Sequence, residues 1–372
     1  MSNKDDIKDR LLASDAVTSL MAEQEVVAAF KRSEWWDVQH GGYYRDRETG
    51  KLRELDVWAR RSWSGPGIDS NVADLELFIE VKSLRDYHIV LAPQPGGQDT
   101  LTQRAWFGHY QDRLGQFLVD SGVQQELAAR MVDRLRELAY PKPKQEMTVS
   151  KLVVSPPKAP VYATAFRETN VGKEKELDQS VLWRAIQALT SAVESSRERR
   201  DALFLDALKG QINVALEDDE DPAPAIEREL ARAVRYVTIF HPVVVVDARL
   251  WVSRGDRLEE IDHGRFTVDE RDRFPRRWFD IVTRRSFPDW ITSLTEHYRS
   301  NLEHPNEAIW KENANAWITL FDIMHRPDTE VEMRVRKRGS KEPGQVVLLK
   351  TYPRKKKRVA KPIAVKERRD SK

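Results

Sequence analysis

Two stretches of this chain carry charged side chains where strand cores normally carry apolar ones. RELDVWARR, Arg53 to Arg61, and LFIEVKS, Leu77 to Ser83, both read as strands, yet they contain Glu54, Asp56, Glu80 and Lys82. Successive strand residues face opposite ways. Glu54 and Asp56 therefore share a face, and Glu80 and Lys82 share a face opposite Leu77, Ile79 and Val81. If the two strands pair across a long loop, Asp56 meets Glu80. Carboxylates held together repel, and one pKa rises, unless a cation lies between them. Mg2+ suits such a place because it is hard and takes carboxylate and water oxygens. It can activate a water and stabilise charge developing on a phosphate. A lysine alongside could orient that water, assist its deprotonation or stabilise the pentavalent phosphate. The plain alternative is an exposed sheet face with surface ion pairs, each worth little.

The elements around these stretches follow from periodicity. Residues 15–33 carry Val17, Leu20, Val27 and Phe30 near a helical repeat. Trp35 to Val38 and Tyr43–Tyr44 are strand-like, and RETGK, Arg47 to Lys51, is a hairpin turn in which Gly50 supplies the permissive backbone. Leu52 to Arg60 and Leu75 to Ser83 are the strands, separated by the loop from Ser64 to Asn71. Two helices are expected over about 100–140, and a long helix or a pair of helices from Glu176 onward. Arg235 to Phe240 and Pro242 to Trp251 read as two strands, 254–277 as charged surface, and WFDIVTRRSFPDWITSLTEHY as strand, turn and helix. A further helix is expected from Asn313 to Met324, then a late hairpin from VEMRVRKRG and GQVVLLKTYP.

This order of helix, hairpin, acid-bearing strand and a second strand ending in E-x-K resembles the PD-(D/E)xK nuclease superfamily. TGKLRELDVWA and LFIEVKS are similar to its bacterial defence and DNA-repair members, including archaeal-type Holliday-junction resolvases and type IV restriction enzymes. On that resemblance Asp56 matches the metal-binding aspartate, and Glu80 and Lys82 match the acid and lysine of the second half-motif. Leu55 stands where the family's proline is usually written. Some members add an acid from the first helix to the metal site. Glu23 or Glu25 matches it, and counting back from Trp35–Trp36 favours Glu23.

The resemblance implies an α/β, restriction-endonuclease-like fold: a mixed central sheet flanked by helices, with a helical insertion. Residues 1–300 then form one nuclease-like domain, with a core of about 15–95 and 175–300 and the insertion at about 100–170. Residues 301–353 form a small C-terminal extension and 354–372 a flexible basic tail. The implied activity is Mg2+-dependent hydrolysis of phosphodiester bonds, with Mn2+ as the alternative metal. DNA is the expected substrate, with RNA left open, in restriction, anti-phage defence or DNA processing. The alternative is a catalytically silent nucleic-acid-binding or sensor subunit of a defence complex. Two sites for double-strand cutting would suit a homodimer, and a partner subunit is the other option.

Other residues attract less. His40 and His88 lack ligand spacing and read as ordinary polar residues. Lys51 and Arg53 flank the acidic strand within reach of a nucleic-acid backbone, and Gln103 and Arg104 open the next expected helix. Trp35–Trp36 reads as a core plug rather than a base-stacking platform.

Composition sets the outer limits. None of the 372 residues is a cysteine, which excludes disulfides, thiolate catalysis and Cys-ligated metal sites. The N-terminus lacks a signal-peptide core, and VVVV, Val243 to Val246, is too short to span a bilayer, so a cytoplasmic protein without a membrane partner is expected. No Walker-type glycine loop is present. Net charge is +2, but residues 354–372 hold ten Lys or Arg against two acids, which leaves 1–353 at −6. Arg354, Lys355, Lys356, Lys357 and Arg358 open that tail and suit nonspecific phosphate contacts. Deleting 354–372 should weaken DNA binding and flatten its salt dependence, with turnover at saturating DNA nearly intact. A salt titration giving the same slope for both proteins would refute the contact.

Overall fold

A computed structural model describes residues 3–32, 37–46, 49–64, 72–84, 87–93, 106–107, 156–170, 180–217, 236–268, 277–302, 329–332 and 350–353. The helices are α1 (Asn3–Leu12), α2 (Asp15–Arg32), α3 (Val181–Glu217) and α4 (Phe287–Leu302). The strands are β1 (Asp37–Arg45), β2 (Leu52–Ser64), β3 (Val72–Lys82), β4 (His88–Pro93), β5 (Trp106–Phe107), β6 (Tyr162–Thr169) and β7 (Tyr236–Val246). They continue with β8 (Arg249–Arg254), β9 (Arg257–Ile261), β10 (His263–Val268), β11 (Arg277–Thr283), β12 (Thr329–Glu332) and β13 (Lys350–Pro353).

One mixed sheet runs in the order β1-β2-β3-β7-β11-β10-β6-β4-β8-β9, with β5 pairing beside β7 as an eleventh strand. β3, β7 and β11 are mutually parallel neighbours, and β1, β2 and β3 form an antiparallel meander. The fold is therefore α/β, a mixed sheet flanked by helices. Among the described residues no helix is long and apolar enough to cross a membrane.

Helix α2 starts where Ser14 accepts the Val17 N–H (3.4 Å), and it closes on Lys31 and Arg32, which suit the negative helix end. Its buried stripe is Ala22, Val26, Ala29 and Phe30, a helical repeat, whereas Leu20 is exposed. This stripe packs with Phe287, Ile291, Leu294 and Tyr298 of α4 over Leu75, Leu77, Ile79 and Val81 of β3 and Val243 and Val245 of β7. On the other face α3 lays Leu182, Ile186, Leu189 and Val193 over Phe78, Phe240, Val244 and Phe279. With both faces covered, β3 is buried from Ala73 to Val81, charged residues included. Glu168 of β6 fixes the start of α3 by accepting the N–H groups of Val181 (3.1 Å) and Leu182 (2.6 Å).

Several elements differ from the sequence pattern. His241–Pro242 does not divide two strands, because β7 runs through it. Pro242 falls between the part of β7 paired to β5 (Ile239, Phe240) and the part paired to β11 (from Val243), where a missing N–H is tolerated. Part of the segment read as charged surface, His263–Val268, is a buried strand. Trp106–Phe107 is a strand in the region read as helical, and Tyr162–Thr169, read as a connection, joins the sheet. The segment expected as a helical insertion, about 100–170, lies outside the described residues apart from 106–107 and 156–170, as do Gln103, Arg104, Trp35, Trp36, the helix expected at 313–324 and the tail from Arg354 to Arg358. The late hairpin pairs antiparallel, Val331 opposite Thr351.

β10 is buried despite its charge because Arg265 is paired through two hydrogen bonds with one carboxylate. Its guanidinium holds both oxygens of Asp280 (2.7 and 2.8 Å) and lies over the Trp278 ring (4.5 Å). His241 bridges Asp280 (2.8 Å) and the Tyr298 hydroxyl (3.1 Å), tying α4 to the sheet. Burial pushes His241 down to about 4, so it is neutral here. Burial alone would raise Asp280, but Arg265 and His263 outweigh it and hold the carboxyl well below its usual range. Asp280→Asn should therefore cost about 3–5 kcal/mol, because it strands Arg265 as an uncompensated buried charge. Urea unfolding measures this, and a loss under about 1 kcal/mol would show that the network does not hold the core.

Candidate functional site at the fork of two strands

The β2–β3 ladder runs from Ser64–Val72 to Val57–Ile79 and stops, although both strands continue. Beyond that point β2 pairs with β1 alone, while Glu80, Val81 and Lys82 pair with Val244, Val245 and Val246 of β7. Asp56 stands in the opening. Its Oδ2 accepts the Val81 N–H at 2.7 Å, filling the place of the lost strand partner. The same oxygen accepts from Lys82 Nζ at 3.0 Å, and Lys82 Nζ lies 2.5 Å from Glu80 Oε2. One ammonium thus bridges the two carboxylates. Lys82 and Asp56 are partly open to solvent, with side-chain exposures of 24% and 18%, whereas Glu80 is 5% exposed.

Burial and charge pull in opposite directions here. Burial drives the Glu80 carboxyl up, to about 7, against the lowering pull of Lys82, and Asp56 and Glu23 push the same way as burial. Burial would lower Lys82, but Glu80 and Asp56 outweigh it and hold its pKa above the usual value. Glu80 therefore holds its proton more readily than an ordinary carboxyl, and Lys82 stays charged.

The two helix glutamates diverge. Glu23 adds to the field on Glu80, and its carboxylate meets His40 Nε2 (2.7 Å) and Ser19 Oγ (3.3 Å). Glu25 points to Arg284 (3.4 Å) and is exposed. His40, set aside on sequence grounds, belongs to this corner; the hairpin register that puts it opposite Val57, next to Asp56, was not readable beforehand. His88 accepts from Trp251 Nε1 (3.0 Å) at the β4–β8 pair and stays outside the site. Glu54 is exposed, with its carboxylate over Gly41, which has φ +71°; a Cβ at Gly41 would sit 3.0 Å from Glu54 Oε1. Lys51 is exposed by the hairpin turn, and Arg53 pairs with Asp46 at 2.5 Å.

Two further groups border the fork. The Asp247 N–H donates to the Lys82 carbonyl (3.1 Å), and Arg284 reaches Asp247 Oδ1 (3.4 Å). Lys82, Asp247 and Arg284 close or follow the parallel strands β3, β7 and β11, so they share one sheet edge. Carboxyl ends of parallel strands are where open α/β sheets bind ligands.

Among the described residues no group of three or more His, Asp or Glu is arranged to hold a metal ion. The donor set is two carboxylates, Asp56 and Glu80. That fits Mg2+, which is commonly held by one or two carboxylates, with waters and substrate phosphates completing the shell. Glu23 is turned to His40. Compared with known proteins, the chain matches no family model, no curated protein and no solved structure.

The raised Glu80 pKa has a consequence with a definite sign. Between its ordinary value of 4.5 and about 7 the folded protein holds a proton that the unfolded chain has released. Stability from this group is full below pH 4.5 and is lost as pH rises through 7. Glu80→Gln, which mimics the protonated acid, should flatten that fall and match or exceed the wild type in melting temperature at pH 8. Mg2+ should raise the wild-type melting temperature more at pH 8 than at pH 5.5, because it competes with the proton. Equal losses for Glu80→Gln at both pH values would contradict this account.

Proposed function

We propose that this protein is a metal-dependent nuclease that hydrolyses phosphodiester bonds, most plainly in DNA. The observation that carries the reading is the convergence of Asp56, Glu80 and Lys82 at the strand fork. Carboxylates beside a lysine match the chemistry of phosphate-ester hydrolysis, and their order matches the PD-(D/E)xK resemblance. Asp56 and Glu80 would hold Mg2+ or Mn2+, which supplies Lewis acidity at the phosphoryl group and lowers the pKa of water. Asp56 is fixed by the Val81 amide, so its position does not depend on Lys82. Lys82 turns its ammonium from the carboxylates to a phosphoryl oxygen and stabilises charge that grows in the transition state. Glu80 would give up its proton on taking the metal, so its role is that of a ligand. Lys51, Arg53 and the tail from Arg354 to Arg358 would guide the nucleic-acid backbone. Restriction, defence or DNA processing in the cytoplasm is the setting we infer from the resemblance.

A second reading, a silent nucleic-acid-binding or sensor subunit, is favoured by one observation. Lys82 already lies between both carboxylates, so the corner carries a resident counter-charge without a metal. Incubation with supercoiled plasmid and Mg2+, Mn2+ or EDTA separates the two. The nuclease reading expects metal-dependent cleavage that Lys82→Ala reduces by about 10²–10³, with a folded protein by thermal melting. Wild-type protein that leaves plasmid intact in both metals, or Lys82→Ala that cuts at full rate, would overturn it.

A further inference from the structure

Strand β1 places two adjacent tyrosines very differently. Tyr43 is 70% exposed, whereas Tyr44 is 9% exposed and packs with Leu55 and Phe78 on the face of the sheet that α3 covers. Glu80 and Lys82 lie on this face of β3, in alternation with Ile79 and Val81, which point to α2 and α4. The Tyr44 ring is thus fixed by core packing, while its hydroxyl lies among charges. Those acting on it are, strongest first, Glu80, Arg53, Asp46 and Asp56. Arg53, opposite Tyr44 in the hairpin, is engaged with Asp46. Glu80 and Asp56 are engaged with Lys82. Among the described residues the Tyr44 hydroxyl is buried and has no hydrogen-bond partner. Buried tyrosine hydroxyls ordinarily find one.

We propose that Tyr44 is a further substrate-contacting residue of the fork, its O–H donating to a non-bridging oxygen of the phosphate bound over Glu80 and Lys82. This rests on the nuclease reading. Three features select a phosphate oxygen as the acceptor. The nearby carboxylates have a cation already. The phenol keeps its proton at any working pH, because burial and the adjacent Glu80 push it up to about 12. Among the described residues it makes no hydrogen bond to Asp56 or Glu80, so its donor is not already taken. A donor fixed in place before the reaction stabilises developing charge without reorganising.

The test uses the full chain, as wild type and Tyr44→Phe, with plasmid and Mg2+, reading kcat, KM and melting temperature. Tyr44→Phe removes one oxygen and keeps the ring. We expect kcat/KM to fall about 10- to 100-fold, the range for losing a hydrogen bond to a charged group, with the melting temperature unchanged or higher. If the wild type cleaves and Tyr44→Phe keeps kcat/KM within about twofold, the Tyr44 contact is wrong and the nuclease reading stands. If activity is lost together with several degrees of melting temperature, Tyr44 is a packing residue and the contact is again wrong. If the wild type cleaves nothing, the nuclease reading and this proposal fail together.

Discussion

Where β2 and β3 part, the Lys82 ammonium sits between the Asp56 and Glu80 carboxylates, and the character of the region follows from that bridge. A buried glutamate cannot stay ionised beside an aspartate without a counter-charge. The lysine supplies one and, in return, is held charged in a place where burial alone would neutralise it. The balance is unfinished, since two acids face one base and Glu80 remains near 7. Such a corner can exchange its cation. A divalent ion would take over the carboxylates and release the ammonium toward a phosphate, which is why the bridge is compatible with a reactive site and with a resting one.

The same strand shows what a closed arrangement looks like. Asp74, Glu76 and Glu80 lie on one face of β3 and are all buried. Asp74 is bound by Arg60 (2.6 Å) and by the Ser62 hydroxyl. Glu76 is bound by Arg200 of α3 and accepts from Ser196 at 3.3 Å. Arginine keeps its charge at any accessible pH and its planar fork fits a carboxylate, so these acids are locked. They fasten the 37-residue helix α3 to the sheet. Glu80 has a lysine instead, on a flexible stem and beside solvent. Strand position and partner chemistry, rather than acidity as such, separate the acids that hold the fold from the one whose cation can be exchanged.

The acidic strands were legible because their pattern violates a simple expectation: alternation puts Glu80 and Lys82 on a face where an apolar strand has no use for them. RETGK and the helix at α2 were legible for equally local reasons. What escaped depended on partners distant in sequence. HGRFTV looks like surface until Arg265 is set against Asp280, fifteen residues away, and that pair becomes buried only because His241 and Tyr298 complete it. Pro242 looks like a strand end until the gap between β5 and β11 gives it a place. His40 and Tyr44 carry no motif; the hairpin register and the closing face of α3 bring them to the corner. Asp74 and Glu76 gave no warning that arginines would claim them, since Arg200 comes from a helix more than a hundred residues later.

The sheet edge adds direction to this chemistry. The parallel strands β3, β7 and β11 end together, and past their ends lie Lys82, Asp247 and Arg284 in a row. Arg284 is shared between Glu25 and Asp247, much as Lys82 is shared between Asp56 and Glu80. Among the described residues at this rim, Lys82 and Arg284 are each answered by two acids. The described residues of the rim offer a phosphate backbone little free positive charge, and residues 1–353 are net negative. A polyanion can settle there only if additional positive charge comes with it or displaces the resident cations. The described edge lacks that surplus, whereas residues 354–372 are strongly basic, and a divalent ion at Asp56 and Glu80 would supply more at the point of reaction. On the nuclease reading, attraction from a separate basic segment and chemistry in an acidic corner would be consistent halves of one arrangement, because a corner basic enough to attract DNA unaided would also keep its two carboxylates permanently paired.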